Sequence, residues 1–357
     1  MRIVDGVEYQ TAADLGVIPF PSQHHSPPPR PTMLTAFELG GMTFPAIKWV
    51  VPGYLPEGCT ILAGRPKLGK SWLALDIALA VARGTYCLGE VKCTQGAVLY
   101  LALEDNLRRL KSRVEKVTPP ASHEPWPKEI SFATEWPRCE NGGLEKIKAW
   151  LKAANNPRLV IVDVLAQFRS GRIDNETLYE ADYQSLKALQ ELASAFNIGV
   201  LVIHHVRKGS GDIDPFERVS GTMGLTGAAD TALILDRSGE GCSLYGRGRD
   251  IEEFEKAVTF NKENCRWSVQ GDAMEVRRTD ERSQILETLR DSGDAMSPTD
   301  IAAMTGMKNA NVRKLLGKLV KAGDVTKAKY GRYSCDPLPP GHTGNSGHSG
   351  DGDHSDV

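Results

Sequence analysis

The chain has 357 residues, of which 41% are hydrophobic and 25% charged, and its formal net charge is −2. That length can bury a large core and fits one large domain with a small companion. The near-neutral balance excludes a polyanion binder acting through bulk charge, and no apolar run reaches signal-peptide or membrane-span length. A cytoplasmic protein with no membrane partner is therefore expected.

The seven cysteines contain no CxxC pair and are odd in number, which favours scattered reduced thiols over a zinc site or a disulfide framework. Residues 1–44 are weakly patterned and carry the stretch PFPSQHHSPPPRP, a semi-rigid proline-rich linker. From 45 to 275 strand-like and helix-like segments alternate, the pattern of an α/β domain with a mainly parallel sheet.

The first strand of that domain, Cys59 to Ala63, runs into Gly64, four residues and then Gly69-Lys70-Ser71. A helix follows, with Trp72, Leu73, Leu75, Ile77, Ala78 and Val81 on an apolar face. Glycines at this spacing let backbone N–H groups curl around an anion, and the helix N-terminus adds its positive dipole end. The expected phosphate cradle comprises Gly64, Arg65, Pro66, Lys67, Leu68, Gly69, Lys70, Ser71 and Trp72. Lys70 supplies a charge to the outer phosphates and the Ser71 hydroxyl a ligand for Mg²⁺. ATP and Mg²⁺ are the expected cofactors.

Further along, residues 97–104 read as a strand, 107–117 as a helix, 142–154 as a helix and 158–165 as a strand. A helix over 183–196, strands over 199–205 and 231–237, and a hairpin-rich section over 243–270 complete the domain. Asp163 closes an apolar strand and fits a carboxylate of the Mg²⁺ shell. Glu104 closes the first strand after the cradle helix, where a carboxylate faces the ligand crevice of an open α/β sheet. It is the candidate base for positioning an attacking water, with Asp105 beside it. His204 and His205, at another strand's end, are candidate sensors of the terminal phosphate.

From 280 to 335 three short helices and a two-stranded ribbon spell a winged helix-turn-helix. Ser297, Pro298 and Asp300 form a helix-start signal. Lys308, Arg313, Lys314, Lys318, Lys321, Lys327, Lys329 and Arg332 face one acid, Asp324, a local basic excess suited to DNA. Asn311 and Arg313 are placed to reach base edges, while Lys318, Lys327, Lys329 and Arg332 suit the backbone, and Lys314 is a further DNA-binding candidate. Residues 336–357 are too poor in apolar side chains to fold.

In order, the phosphate loop, YLALED, VIVD, VLVIHHVRKG, SGTMGLTGAADTALIL and YGRGRDIEE span roughly residues 45–270. This succession resembles the RepA-like hexameric helicase branch of the RecA-fold P-loop ATPases, relatives of the bacterial replicative helicases. The resemblance implies Glu104 as the catalytic carboxylate and Asp163 as the acid behind Mg²⁺. It implies a histidine of 204–205 as the link from γ-phosphate to the following loop. It also implies a ring, hexameric in the family's manner, with an arginine reaching in from the neighbour: Arg249 first, Arg247 second. Loops after the sensor strand would line a channel for single-stranded DNA, with Arg207 and Lys208 against its phosphates, and the winged helix would hold duplex DNA. The chain lacks the primase domain and the large N-terminal domain of the replicative helicases. That leaves two readings besides unwinding: an ATP-switched DNA-binding regulator or loader, and an inactive nucleotide-binding scaffold.

Overall fold

The computed structural model describes residues 2–4, 7–9, 33–118, 125–170, 178–205, 214–216, 225–239, 241–328 and 331–335. By its internal packing the chain falls into two units, Met1–Ala46 and Ile47–Val357. In the first, Arg2–Val4 pairs antiparallel with Val7–Tyr9. A short helix, Ala36–Gly40, starts on a reciprocal cap between Thr35 and Glu38, and none of its residues is buried.

The second unit is built on nine strands: β1 (Gly58–Gly64), β2 (Ala97–Ala102), β3 (Ile130–Ala133), β4 (Pro157–Asp163), β5 (Gly199–His205), β6 (Thr231–Ser238), β7 (Gly241–Gly248), β8 (Phe254–Asn261) and β9 (Arg266–Asp272). They form one sheet in the order β9-β8-β7-β6-β1-β5-β4-β2-β3. The six from β6 to β3 are mutually parallel, and β7, β8 and β9 extend the sheet as an antiparallel meander. The fold is mixed α/β with a mostly parallel central sheet and a C-terminal helix-turn-helix.

Near-continuous apolar strands are what a sheet covered on both faces requires. Leu62, Tyr100, Ile161, Leu201 and Leu233 join one core cluster with α1 (Lys70–Arg83). Their neighbours Ile61, Leu101, Val162, Val202 and Ile234 join the opposite cluster with α3 (Leu144–Ala153) and α4 (Leu178–Phe196). The helix α2 (Leu107–Val117) adds Leu110 and Val114 to the first cluster. Among the described residues, no helix is long and apolar enough to cross a membrane.

Three details depart from the sequence reading. The strand expected to run through Glu104 stops at Ala102, because the Asp105 amide turns back to the Ala102 carbonyl at 3.1 Å. Edge strand β3 was not anticipated. The helix expected to begin at Glu281 begins at Ala273, directly after β9, and runs to Ser292 as α5.

The C-terminal module continues with α6 (Pro298–Thr305), α7 (Asn309–Ala322) and a ribbon of β10 (Thr326–Lys327) and β11 (Tyr333–Ser334). Ser297 and Asp300 cap α6 reciprocally, with Pro298 at its first turn. Ile285, Leu289, Ile301, Val312, Leu316 and Leu319 make its separate core.

Candidate functional site

Parallel pairing aligns the ends of the central strands. His205 lies opposite Gly64, and Asp163 opposite Ala102, so β1, β5, β4 and β2 deliver their last residues to one edge. The loop from Gly64 to Lys70 wraps that edge before α1. Gly64 packs so closely that a Cβ would come 2.4 Å from the Leu235 carbonyl. Gly69 has φ 103°, a conformation that side chains resist, and a Cβ there would meet the Trp267 ring at 3.1 Å.

Lys70 is buried at the head of α1. Its ammonium donates to the carbonyls of Gly64 (2.7 Å) and Arg65 (2.9 Å) and meets His205 Nδ1 at 3.1 Å. Burial lowers the Lys70 pKa to about 8, against the opposing pull of Asp163 and Glu104.

Asp163 is buried at the end of β4. Burial raises its pKa, opposed by the hydroxyls of Ser71 and Tyr100. Tyr100 donates to Oδ2 at 2.9 Å, while Oδ1 is buried without a hydrogen-bond partner among the described residues. An orphaned carboxylate oxygen facing a serine hydroxyl fits the water shell of a hard divalent cation, which prefers oxygen donors and keeps several waters. The donor set at Ser71 and Asp163 therefore suits Mg²⁺.

Glu104 lies on the turn after β2, with Oε2 4.0 Å from His205 Nε2. Burial, followed by the nearby Lys70 charge, lowers the His205 pKa, while Glu104 pulls it up. The paired histidines separate because successive strand residues point to opposite faces. His205 faces Lys70 and Glu104. His204 takes the other face; burial lowers its pKa, Asp182 pulls it up, and His205, Lys70 and Arg169 push it further down, with Arg169 itself paired to Asp182 at 3.0 Å. Of the two candidate histidines, His205 is the one beside Lys70 and Glu104.

Residues 66–72, Glu104 and His205 border a cleft of about 800 Å³. Its far wall comes from Arg237 of β6 and from the meander, with Cys242, Thr259, Phe260, Lys262 and Trp267. The sequence reading missed Arg113 of α2, which also lines the cleft. Its guanidinium sits 5.0 Å from the Trp72 ring and pairs with Asp105 at 2.5 Å. Asp105 is thereby a support for α2, not a free carboxylate.

Arg249 and Arg247 lie elsewhere. Arg249 donates to Asp230 at 3.1 Å, and Asp230 also binds the amide of Cys59 at the start of β1. The phosphate loop leaves the opposite end of that strand. Arg247 pairs with Glu253 (2.6 Å) and Asp214 (3.3 Å) and covers the Phe216 ring. Neither arginine approaches the loop of its own chain.

In the winged module, Arg313, Lys314, Lys318, Lys327 and Arg332 are exposed. Asn311 is engaged, donating to Glu281 at 2.8 Å, and Arg313 donates to Asn309 at 2.7 Å. Arg207, Lys208 and Lys329 lie outside the described residues, as does the 336–357 tail.

A family model described as an AAA domain matches residues 25–211, and one described as an IclR helix-turn-helix domain matches 283–328. No curated protein matches. Among solved structures, the chain is similar to the ATPase domain of G40P, with 16% identity, a TM-score of 0.48, and coverage of 59% of this chain and 84% of that one. It is also similar to a DnaB-like replicative helicase described with its interactions with primase. There the identity is 16% and the TM-score 0.48, and the match covers 60% of this chain and 58% of that one.

Proposed function

The chain belongs to the AAA domain family, and from that premise we propose that it is a Mg²⁺-dependent ATPase of RepA type that assembles as a hexameric ring and moves on DNA. Lys70 and the backbone of residues 64–69 hold the phosphates. Ser71 and Asp163 hold Mg²⁺, which when bound neutralises charge on the transferring phosphoryl group. Glu104 orients the attacking water and takes its proton, a role worth about 10²–10⁴ in rate. His205 links the phosphate site to the segment that follows β5, where Arg207 and Lys208 would meet a single strand. Arg249 of a neighbouring subunit completes the site, with Arg247 as the second candidate. The exposed cations of α7 and the wing hold duplex DNA.

The observation that carries this reading is the meeting of Lys70 Nζ with His205 Nδ1 at 3.1 Å beside Glu104. It ties the anion-binding cation to the strand end from which the next loop departs. The match of residues 283–328 to a helix-turn-helix favours a second reading as well, an ATP-switched regulator or loader that binds duplex DNA without unwinding it.

ATP hydrolysis with and without single-stranded DNA, on wild type, Glu104→Gln and Lys70→Ala, tests the proposal. A motor hydrolyses faster with the strand present, and both variants lose that activity while Glu104→Gln keeps nucleotide binding. A slow rate indifferent to DNA favours the switch, and an undetectable rate leaves only a nucleotide-binding scaffold.

A further inference from the structure

Two structural facts sit at the two ends of strand β9. Near its start, the Trp267 indole N–H donates to the Gly69 carbonyl at 3.2 Å. At its end, Asp272 is both the last strand residue and the N-cap of α5, accepting from the Met274 amide at 3.1 Å. No loop intervenes between the strand that touches the phosphate cradle and the first helix of the winged module.

The Trp267 contact falls on a critical peptide. The Gly69 carbonyl shares a planar trans unit with the Lys70 N–H, so the two point in opposite directions. Fixing the carbonyl fixes where that N–H aims, and it aims from the head of α1 into the cradle. The same carbonyl accepts from Trp72 and Leu73 of the first helical turn (3.1 and 3.0 Å). The indole ring rests close against Gly69, where a Cβ would come 3.1 Å from it, and it is 2% exposed.

Arg266, one residue earlier, reaches α1 as well. It donates to Asp76 at 2.8 Å and to the Tyr86 carbonyl at 2.6 Å. Adjacent residues of β9 thus grip the cradle helix at its head and along its length. On the other side, Arg277 of α5 bonds Glu255 of β8 at 2.5 Å, so the first turns of the helix are fastened to the sheet. Glu281, on the same helix, receives Asn311 from the basic helix α7 at 2.8 Å.

We propose that β9 couples the phosphate loop to the winged module, with Trp267 as the positioning residue that registers the Gly69–Lys70 peptide and α5 as the output. This rests on the reading of the loop as a nucleotide site.

Amide hydrogen exchange on the full chain, with and without a non-hydrolysable ATP analogue and Mg²⁺, tests it. In wild type the analogue is expected to slow exchange about tenfold in peptides covering 266–280. Trp267→Phe keeps an aromatic ring and removes the donor. It is expected to weaken analogue binding about threefold to tenfold and to lose the protection beyond residue 272. Arg277→Gln lies away from the loop and is expected to keep analogue affinity while losing protection over 273–280. The coupling is overturned if wild type binds the analogue with no change beyond residue 272. It is equally overturned if both variants transmit as wild type does. Should Trp267→Phe fail to fold, the Arg277→Gln comparison decides alone. A wild type that does not bind the analogue overturns the nucleotide reading, and the coupling with it.

Discussion

Lys70, at the head of α1, and His205, the last residue of β5, meet with Nζ 3.1 Å from Nδ1. An ammonium has only donors, so Nδ1 accepts and the ring proton resides on Nε2, the nitrogen that faces Glu104 at 4.0 Å. A cation, a neutral imidazole and a carboxylate therefore stand in a row, and a phosphate entering at Lys70 disturbs all three.

The depressed pKa of Lys70, about 8 without ligand, gives a pH signature. An unfolded lysine titrates near 10.4. Between those values the unfolded chain binds more protons, so the free protein gains stability as pH rises through that window. The cost of the buried charge is fully present below about pH 8. Polyphosphate favours the protonated form, so ATP affinity is expected to be flat below pH 8 and to fall up to tenfold per unit above it. Calorimetry near pH 8.5 in buffers of different ionisation enthalpy should show proton uptake on binding. Affinity that stays level to pH 10 would contradict it.

His205→Ala removes the link and one partner of the Lys70 ammonium, while the bonds from Lys70 to the Gly64 and Arg65 carbonyls remain. ATP affinity is expected to stay within about threefold, while DNA-stimulated turnover falls about a hundredfold, the scale of a mispositioned site. Steady-state kinetics with and without single-stranded DNA measures the two effects separately. Equal loss in both conditions would make His205 a plain catalytic-site support.

Arg249→Ala is expected to leave ATP binding unchanged and to lower turnover about 10³–10⁵-fold. Mixing it with Lys70→Ala supplies the sharper measurement. Each inactive chain lacks what the other offers at a shared interface, so mixtures should regain activity that neither variant shows alone. No recovery at any mixing ratio would remove Arg249 from the site.

Lys318→Ala, on the exposed face of α7, is expected to weaken duplex binding similarly on every sequence. It should also make the dependence of log affinity on log salt shallower by about one. A salt titration of binding anisotropy on two unrelated duplexes checks both. A sequence-dependent loss would instead place Lys318 against a base.

Parts of the site were legible in the sequence because chemistry fixes their spacing. The loop from Gly64 to Ser71 follows the spacing expected of a phosphate cradle, and Asp163 and His205 each close an apolar run that reads as a buried strand. The alternation rule also separates His204 from His205, since neighbours on a strand cannot face the same way. Other parts carried no local signal. Trp267 lies 198 residues from the carbonyl it holds, and Tyr100, the donor to Asp163, reads as one more apolar core residue. Strand β3 is four residues at a sheet edge, too short for a pattern. Residues 273–280 are polar on most sides, so the first turns of α5 gave no periodicity to find.

The junction at Asp272 has a mechanical side. A helix rises about 1.5 Å per residue, and α5 has 20 residues, so it forms an arm about 30 Å long planted without a hinge on the sheet's edge strand. A tilt of about 10° at its base would sweep the far end through about 5 Å, nearly one helical turn. A shift too small to notice at a peptide plane can thus become a displacement of the helix's far end.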